Sequence, residues 1–286
     1  MTAFTLPGFD LDAFVSATLA EDLGEGLPGG GRDVTSESVI PADARFSGVM
    51  DSRDAIVVCG LPLAAAFFRA LDPDVVVEPL VAEGTAVAPG TDLIRIAGNA
   101  RALLTAERSA LNTVQHLSGI ATMTRAYVDA MAGNATLLDT RKTIPGLRHL
   151  EKYATRTGGA KNHRMGLWDA AMIKDNHVAV AGGVGEAVRR AKAAGVAEII
   201  CEVDRLDQIE PALVAGATHL LLDNMGPVLL AEAVALVAGR VPCEASGGVR
   251  LDTIAAIAAS GADYVSVGRL TQSAPAADVG LDFTPL

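Results

Sequence analysis

Short apolar runs that lead into a polar residue or a glycine recur along the second half of the chain. Six runs have this form: Thr136–Leu138, Ala171–Ile173, Glu198–Ile200, His219–Leu222, Val241–Glu244 and Tyr264–Val267. The last four lead into Glu202, Asp223, Ser246 and Gly268, which lie 21 to 23 residues apart. That interval accommodates one strand, one helix and two loops, and helical patterns fill the gaps. Strands that alternate with helices in this way predict a parallel sheet of the α/β class.

Polar groups after every run favour a barrel over an open sheet. A doubly wound sheet concentrates its binding site at one switch point, whereas a barrel uses the carboxyl ends of many strands. Only six or seven strands can be counted in the sequence. We therefore predict an incomplete α/β barrel over residues 114–270.

Residues 1–113 have a different pattern, in which strand-like segments dominate. Helical spacing covers Leu11–Leu23 and Leu61–Leu71. The strand-like segments are Phe46–Asp51, Ala55–Cys59, Val75–Val81 and Leu93–Ile96. Antiparallel strands with helices on one side predict a small α+β domain. A long helical pattern follows from about Ala102 to Ala132, with a potential break at Gly119.

Positive side chains are concentrated in one segment of an acidic chain. The formal net charge is −11, which disfavours binding to nucleic acid or to an anionic membrane. Residues 141–174 nevertheless carry eight basic side chains: Arg141, Lys142, Arg148, Lys152, Arg156, Lys161, Arg164 and Lys174. Such a cluster predicts a small, highly anionic ligand. For Arg148, Lys152 and Arg156, whose spacing is helical, a solvent-exposed helix face is the alternative prediction.

Two carboxylates and two glycine turns complete the candidate site. Glu202 and Asp223 end apolar runs, where an unpaired carboxylate would be costly. They could pair with the cations, bind Mg²⁺ or accept hydrogen bonds from sugar hydroxyls. Ser246-Gly247-Gly248 and Gly268 follow the last two strands, where backbone N–H groups can approach a phosphate.

The sequence has no pattern typical of an activated nucleophile. It contains no Ser-His-Asp order, no HExxH and no CxxC, and the three cysteines lie far apart. Reactions that depend on positioning and charge, such as phosphoribosyl transfer with Mg²⁺, fit this inventory better. No stretch is long and apolar enough to predict a membrane-spanning helix. Residues 1–12 have no basic residue before an apolar run, so we do not expect them to act as a secretory signal. We expect a cytoplasmic enzyme with buried free thiols.

Several ordered motifs resemble those of the quinolinate phosphoribosyltransferases, also called nicotinate-nucleotide pyrophosphorylases (carboxylating). They include residues 106–112 (AERSALN), 116–122 (HLSGIAT), 139–143 (DTRKT), 162–164 (NHR), 173–177 (IKDNH), 222–225 (LDNM), 244–248 (EASGG) and 266–268 (SVG). The resemblance spans the chain from Glu21 to Asp282. Two positions depart from the expected pattern, because Arg269 and Gln272 stand where a small residue and a histidine are usual.

The resemblance implies a fold, a reaction and an assembly. The fold is a small N-terminal α+β sandwich joined to an incomplete α/β barrel, with residues 271–286 returning to the first domain. The reaction converts quinolinate and phosphoribosyl pyrophosphate to nicotinate mononucleotide, pyrophosphate and CO₂, without an organic cofactor. The assembly is a homodimer whose active site is shared between subunits.

The resemblance also implies roles for individual residues. Arg108 would reach the neighbouring subunit's site. The quinolinate contacts would be Thr140, Arg141, His163 and Arg164. Lys142 and Lys174 would lie between substrate carboxylate and pyrophosphate, and Glu202 and Asp223 would hold ribose hydroxyls and Mg²⁺; these four are the candidate catalytic residues. The 5′-phosphate contacts would be Ser246, Gly247, Gly248 and Gly268. Val267 and Arg269 beside Gly268 are further candidate contacts, although Arg269 could instead face solvent.

Three alternatives remain open from the sequence. A molybdenum-transport-associated relative of the same fold need not keep all the cations, and a nicotinate phosphoribosyltransferase needs fewer of them. A non-catalytic anion-binding barrel protein would be expected to lose Glu202 or Asp223.

Overall fold

An antiparallel sheet organises the first of two units in the computed structural model, which describes residues 4–286. Unit 1 extends to Met123 and also contains His149–Gly158 and Ala274–Leu286. Unit 2 contains Thr124–Arg148 and Gly159–Ser273. The predicted boundaries lay at residues 113 and 270, and the sequence patterns did not indicate that residues 149–158 belong to unit 1.

Unit 1 consists of a four-stranded sheet, a two-stranded sheet and several helices. The helices are α1 (Leu11–Leu23), α2 (Val34–Val39), α3 (Leu61–Leu71), the first part of α4 (Ala100–Ala130) and most of α5 (Arg148–Thr157). The strands are β1 (Arg45–Ser52), β2 (Ile56–Val57), β3 (Val76–Pro79), β4 (Ala86–Val87), β5 (Thr91–Asn99) and β12 (Val279–Pro285). The main sheet has the order β12-β1-β5-β3, and β2 pairs with β4 in a second, two-stranded sheet.

Local sequence explains where α1 begins and ends. The Asp10 side chain accepts a hydrogen bond from the backbone N of Ala13 at 2.9 Å, which caps the first turn. Gly24 ends the helix in the left-handed conformation, with φ 67°. Helices α1 and α3 have the bounds that the helical spacing predicted.

The core of unit 1 forms between the sheet and α3. Phe67 and Phe68 of α3 are completely buried, as are Met50 of β1 and Leu93 of β5. Strand β12 pairs antiparallel with β1, from Pro285 opposite Phe46 to Val279 opposite Ser52. Residues 279–285 therefore form one edge of this sheet.

Helix α4 continues through Gly119, so the potential break at this residue is wrong. A Cβ atom at Gly119 would lie 2.0 Å from the carbonyl oxygen of Pro275, which also belongs to unit 1. The glycine is needed for close approach of the 275–276 backbone and not for a bend.

Replacing Gly119 with alanine should destabilise unit 1. Because the added methyl meets backbone and cannot be accommodated by a side-chain movement, we expect the free energy of unfolding to fall by about 1–3 kcal/mol. Differential scanning calorimetry measures this change. Gly226→Ala is the matched control, since φ there is −67° and no atom lies within 4 Å of the added Cβ. A wild-type melting temperature for Gly119→Ala would contradict the steric argument.

Unit 2 is built on six parallel strands in the order β6-β11-β10-β9-β8-β7. They are β6 (Thr136–Leu138), β7 (Ala171–Ile173), β8 (Ile199–Val203), β9 (His219–Asp223), β10 (Cys243–Ser246) and β11 (Tyr264–Ser266). The helices are α6 (Asp175–Ala181), α7 (Val184–Ala193), α8 (Ile209–Ala215), α9 (Pro227–Val237), α10 (Ile254–Ala258) and α11 (Arg269–Gln272). Within the described residues β6 and β7 do not pair with each other, which agrees with the predicted incomplete α/β barrel.

Helix α5 does not present the solvent-exposed basic face that its spacing allowed. Lys152 is only 1% exposed, whereas Arg156 is exposed. Arg148 is half-buried and donates hydrogen bonds to Thr143 Oγ1 and to the carbonyl oxygen of Met165, both at 3.1 Å. The alternative prediction is therefore wrong for Lys152 and Arg148.

The three cysteines are free and buried, as predicted. Between residues 4 and 286, each helix is too short or too polar to cross a lipid bilayer.

Candidate active site

The predicted site residues of unit 2 follow or end its parallel strands. Thr140, Arg141 and Lys142 follow β6, and Lys174 follows β7. Glu202 lies near the end of β8, whereas Asp223 and Ser246 end β9 and β10. Asp223 and Ser246 are directly opposite each other in the parallel register. Since the carboxyl ends of parallel strands share one edge, the sheet brings these side chains to one end of the unit.

Two arginines at this end carry positive charges that repel each other. Burial, and then the positive charge of Arg141, lower the pKa of the Arg164 guanidinium below its usual value. Arg164 Nη1 donates to the carbonyl oxygen of Ala170 at 2.9 Å. The Nε atoms of both arginines are buried and have no hydrogen-bond partner among the residues that the structure describes. Unpaired buried donors are costly, so this arrangement favours an anionic ligand that would accept from both.

The turn that carries Arg141 is held by short-range and long-range hydrogen bonds. The Thr140 hydroxyl accepts from the backbone N of Lys142 at 3.0 Å. Thr271 Oγ1 donates to the carbonyl oxygen of Lys142 at 2.7 Å, which connects this turn to α11. Lys142 is exposed, and its stem would be 2.7 Å from a Cβ atom at Gly268. Lys142 and Gly268, predicted as parts of one site, are therefore neighbours.

Lys174, Glu202 and Asp223 form a charged group at the ends of β7, β8 and β9. Lys174 Nζ forms an ion pair with Glu202 Oε2. Burial, and then the negative charge of Glu202, raise the pKa of Asp223, while Lys174 opposes this change. The two carboxylates repel each other, so this pair would be stabilised by a bound cation.

The residues fit a magnesium ion that is shared with a substrate. In the described part of the chain, no group of three or more His, Cys, Asp or Glu residues could hold a metal by itself. Mg²⁺ is usually bound by one or two carboxylates together with substrate phosphates and water. Glu202 and Asp223 could supply those carboxylates.

A steric fit between Asn224 and Gly247 shapes the loop after β10. Asn224 adopts a left-handed conformation with φ 56°, and its backbone N donates to the carbonyl oxygen of Ser246 at 2.9 Å. Its side chain donates to Asp223 Oδ2 at 2.5 Å. A Cβ atom at Gly247 would lie 2.2 Å from Asn224 Oδ1, and φ at Gly247 is 93°. Only glycine can occupy this position without displacing Asn224.

Asn224 was not predicted as a site residue. A non-glycine residue with positive φ beside a candidate carboxylate is a structural sign of a functional constraint. The sequence signal was weak, because an asparagine after a strand is also common in ordinary turns.

Four further residues were predicted as site residues, and they differ in exposure and in location. Val267 is buried, and its backbone N donates to the carbonyl oxygen of Leu138 at 3.0 Å. Arg269 is exposed and begins the four-residue helix α11. Gly248 is exposed with φ 59°. Arg108 is exposed on α4 and belongs to unit 1.

His163 is held by protein groups at both ring nitrogens. Its Nε2 lies 3.2 Å from Glu244 Oε2, and its Nδ1 accepts from the backbone N of Arg164 at 2.7 Å. The His163 side chain is 8% exposed and that of Glu244 is completely buried. Glu244 had no role in the predictions. Its sequence signals were an acidic residue within an apolar strand and its place as the first residue of the 244–248 motif.

Comparisons with known proteins agree with this geometry. The sequence models of two domains match: "Quinolinate phosphoribosyl transferase, N-terminal domain" over residues 33–118, and its "C-terminal domain" over residues 120–282. A nicotinate-nucleotide pyrophosphorylase [carboxylating] of Mycobacterium leprae is 42% identical over 280 residues, covering 94% of this chain and 95% of that one. A chloroplastic protein of the same name from Arabidopsis thaliana is 38% identical, covering 96% and 83%.

The chain is also similar in structure to solved proteins. The crystal structure of NadC from Streptococcus pyogenes has a TM-score of 0.93 and 37% identity, and the match covers 99% of both chains. The structure of human nicotinic acid phosphoribosyltransferase has a TM-score of 0.65 at 13% identity, so with that protein the chain shares the fold alone. The alternatives considered from the sequence are not favoured. With both domain models matched along most of its length, the chain belongs to the quinolinate phosphoribosyl transferase family.

Proposed function

We propose that this enzyme transfers the phosphoribosyl group of phosphoribosyl pyrophosphate to the ring nitrogen of quinolinate and releases pyrophosphate and CO₂. The product is nicotinate mononucleotide, a precursor of NAD. The observation that carries this proposal is the arginine pair Arg141 and Arg164, whose Nε atoms are buried and have no hydrogen-bond partner within residues 4–286. The carboxylating and decarboxylating activities in the names of the relatives support it.

The two carboxylates of quinolinate would bind at this arginine pair. Each guanidinium presents several donors in a plane, which suits a bidentate contact with a carboxylate. Two anionic groups would also remove the repulsion between the neighbouring guanidiniums. Thr140 holds the turn that carries Arg141. His163 supports the backbone of Arg164.

Phosphoribosyl pyrophosphate would bind beside the acceptor. Lys142 and Lys174 are the cations for the departing pyrophosphate, while Glu202 and Asp223 accept hydrogen bonds from the ribose hydroxyls. The same two carboxylates would hold Mg²⁺, which stabilises the leaving pyrophosphate. Backbone N–H groups of the loops after β10 and β11 would bind the 5′-phosphate, with Ser246, Gly247, Gly248, Val267, Gly268 and Arg269 as the contacts.

Decarboxylation needs no organic cofactor in this scheme. Ribosylation makes the ring nitrogen cationic, and the positive charge stabilises the carbanion that forms at the adjacent carbon when CO₂ leaves. The role of this chain's residues is to orient both substrates and to balance their charges.

We also propose a homodimer in which Arg108 completes the site of the neighbouring subunit. The exposed position of Arg108 on α4, in unit 1, is compatible with such a contact. The cytoplasm is the proposed location, and three unpaired, buried thiols support a reducing compartment.

One assay tests the reaction directly. Purified protein is incubated with quinolinate, phosphoribosyl pyrophosphate and Mg²⁺, and the products are followed as trapped CO₂ and as nicotinate mononucleotide by chromatography. We expect the two products in equal amounts, and no turnover when a chelator removes the metal. Replacing quinolinate with nicotinate separates this activity from that of a nicotinate phosphoribosyltransferase. Turnover of nicotinate, or none of quinolinate, would refute the proposal.

Gly247→Ala should weaken the binding of phosphoribosyl pyrophosphate. The added methyl would displace Asn224, which contacts Asp223, and φ at this position is unfavourable for alanine. We expect kcat/KM for phosphoribosyl pyrophosphate to fall about 100-fold, since small displacements of positioned groups have effects of this size. Initial rates at saturating quinolinate measure it. Gly226→Ala, with open space around its Cβ, provides the comparison, and equal activity of the two variants would show that the fit at Gly247 is unimportant.

A further inference from the structure

A buried ionic network occupies the interior of unit 2. Glu244 of β10 is completely buried, and its Oε2 lies 3.2 Å from the Nε2 atoms of both His163 and His219. The contact between His163 and Glu244 is a hydrogen bond. The contact between His219 and Glu244 has the distance of an ion pair but does not meet the geometry of a hydrogen bond. The His219 ring stacks on Tyr264 with ring centroids 5.6 Å apart, and Lys161 Nζ lies 5.4 Å from the centre of the Tyr264 ring.

The network keeps Glu244 ionised. Burial alone raises the pKa of this carboxyl, but the hydrogen bond with His163 and the proximity of His219 outweigh it and lower the pKa to about 2. A buried charge is tolerated only with close partners of opposite charge or with hydrogen bonds. Replacing a buried ionic network with apolar residues of similar size often leaves the fold equally stable or more stable. Fold stability therefore does not account for a glutamate at position 244, and we look for its role in the groups that it contacts.

The hydrogen bonds of His163 determine which ring nitrogen carries the proton. Because Nδ1 accepts from the backbone N of Arg164 at 2.7 Å, that nitrogen has no proton. The proton is then on Nε2, which donates to Glu244. The backbone N of His163 also donates to Asp139 Oδ1 at 2.8 Å. The two peptides that flank the His163 Cα are thus each held, the preceding one by Asp139 and the following one, which carries the Arg164 N–H, by the His163 ring.

Arg164 needs such support because its guanidinium is close to another positive charge. Arg141 repels it, and burial removes part of its hydration. Without a fixed backbone, Arg164 would relieve the repulsion by moving away from Arg141, and the spacing of the two cations would change. The chain Glu244–His163–Arg164 opposes this movement.

We propose that Glu244 is a positioning residue for the acceptor site: through the Nε2–H form of His163, it fixes Arg164 beside Arg141 at the spacing that a dicarboxylate requires. The identity of this acceptor as quinolinate rests on the proposed function. In this arrangement His163 acts through Arg164 and does not contact the substrate with a ring nitrogen. Glu244 then determines affinity for the dicarboxylate and has little influence on phosphoribosyl pyrophosphate.

A double-mutant cycle tests the proposal. Glu244→Ala and His163→Phe should each raise the KM for quinolinate about 10- to 100-fold, with the KM for phosphoribosyl pyrophosphate changed less than about threefold. The double variant should be no worse than the more impaired single variant, because both changes break the same chain of contacts. Additive losses, or a much larger loss for His163→Phe alone, would show that His163 binds the substrate directly and would overturn the proposal.

Two further variants separate positioning from general support of the fold. Glu244→Gln keeps an acceptor oxygen for His163 Nε2–H, so the KM for quinolinate should return to within about threefold of wild type. His219→Gln alters the other contact of Glu244 and leaves the link to Arg164 intact, so it should also have a small effect. An increase in KM for His219→Gln equal to that for Glu244→Ala would refute the specific role of His163.

The tautomer can be measured without any substitution. Long-range ¹⁵N–¹H correlation spectra of ¹³C,¹⁵N-labelled wild-type protein should give His163 as the Nε2–H form, with its signal identified among those of the five histidines through correlations from the ring to the sequentially assigned backbone. A proton on Nδ1 would overturn the proposal even if every variant unfolds. If the wild type shows the Nε2–H form but does not consume quinolinate, only the proposed function fails.

Discussion

Arg141→Ala should raise the KM for quinolinate by about 100- to 1,000-fold and leave the KM for phosphoribosyl pyrophosphate nearly unchanged. Loss of one member of a buried, charge-paired contact costs about 2–5 kcal/mol, and each 1.4 kcal/mol is a factor of ten. The effect falls on the acceptor because Arg141 repels Arg164 and its buried Nε has no hydrogen-bond partner in the described part of the chain. Initial rates with each substrate varied in turn provide the measurement.

A matched arginine serves as the control for Arg141→Ala. Arg189 on α7 is exposed and pairs with Glu186 on the same helix, so Arg189→Ala removes an equal charge outside the site and should be nearly silent. Arg141→Lys tests geometry, since lysine keeps the charge but loses the planar donors, and it should recover only a small part of the activity. Equal losses of affinity for both substrates would contradict an acceptor role for Arg141.

Mixing two inactive variants, Arg108→Ala and Lys174→Ala, should restore about one quarter of the wild-type activity. If Arg108 acts in the neighbouring subunit, a mixed dimer contains one intact site and one doubly defective site. Random exchange makes about half of the dimers mixed, and each of these has one working site of two. Activity is followed over time after mixing the purified variants at equal concentration.

Subunit exchange must be shown independently of activity. Different affinity tags on the two variants allow mixed dimers to be isolated and assayed alone, where about half of the wild-type activity per dimer is expected. Lys174→Ala mixed with Arg141→Ala is the negative control, because both residues belong to unit 2 of one chain and complementation by Arg108 is not involved. Isolated mixed dimers without activity would exclude a shared site.

Local patterns predicted most of the strands and two of the early helices. The bounds of α1 and α3 followed from helical spacing, which depends only on neighbouring residues. The positions of Glu202, Asp223 and Ser246 near the strand ends followed from the repeated β-loop-α unit. Such features are encoded within about twenty residues, so the sequence is sufficient for them.

Features that depend on distant contacts were not predicted. His163 and Glu244 are separated by 81 residues, and their contact depends on how the strands of unit 2 pair. Lys152 is a second example of a feature that was not predicted. It is buried, but helical spacing alone does not distinguish a buried face of a helix from a solvent-exposed one. Gly119 signalled a helix break in the sequence, whereas its actual role is set by the close approach of Pro275.

The pairing of β12 with β1 has a consequence for synthesis on the ribosome. Residues of unit 2 end at Ser273, whereas the edge strand of unit 1 is made afterwards, at Val279–Pro285. Because chains emerge from the amino terminus, β1 and β5 can pair long before β12 is made, and the earlier sheet has an open edge at β1 during that time. A nascent chain stalled before residue 279 would therefore expose β1 to protease, and the addition of β12 would remove that exposure.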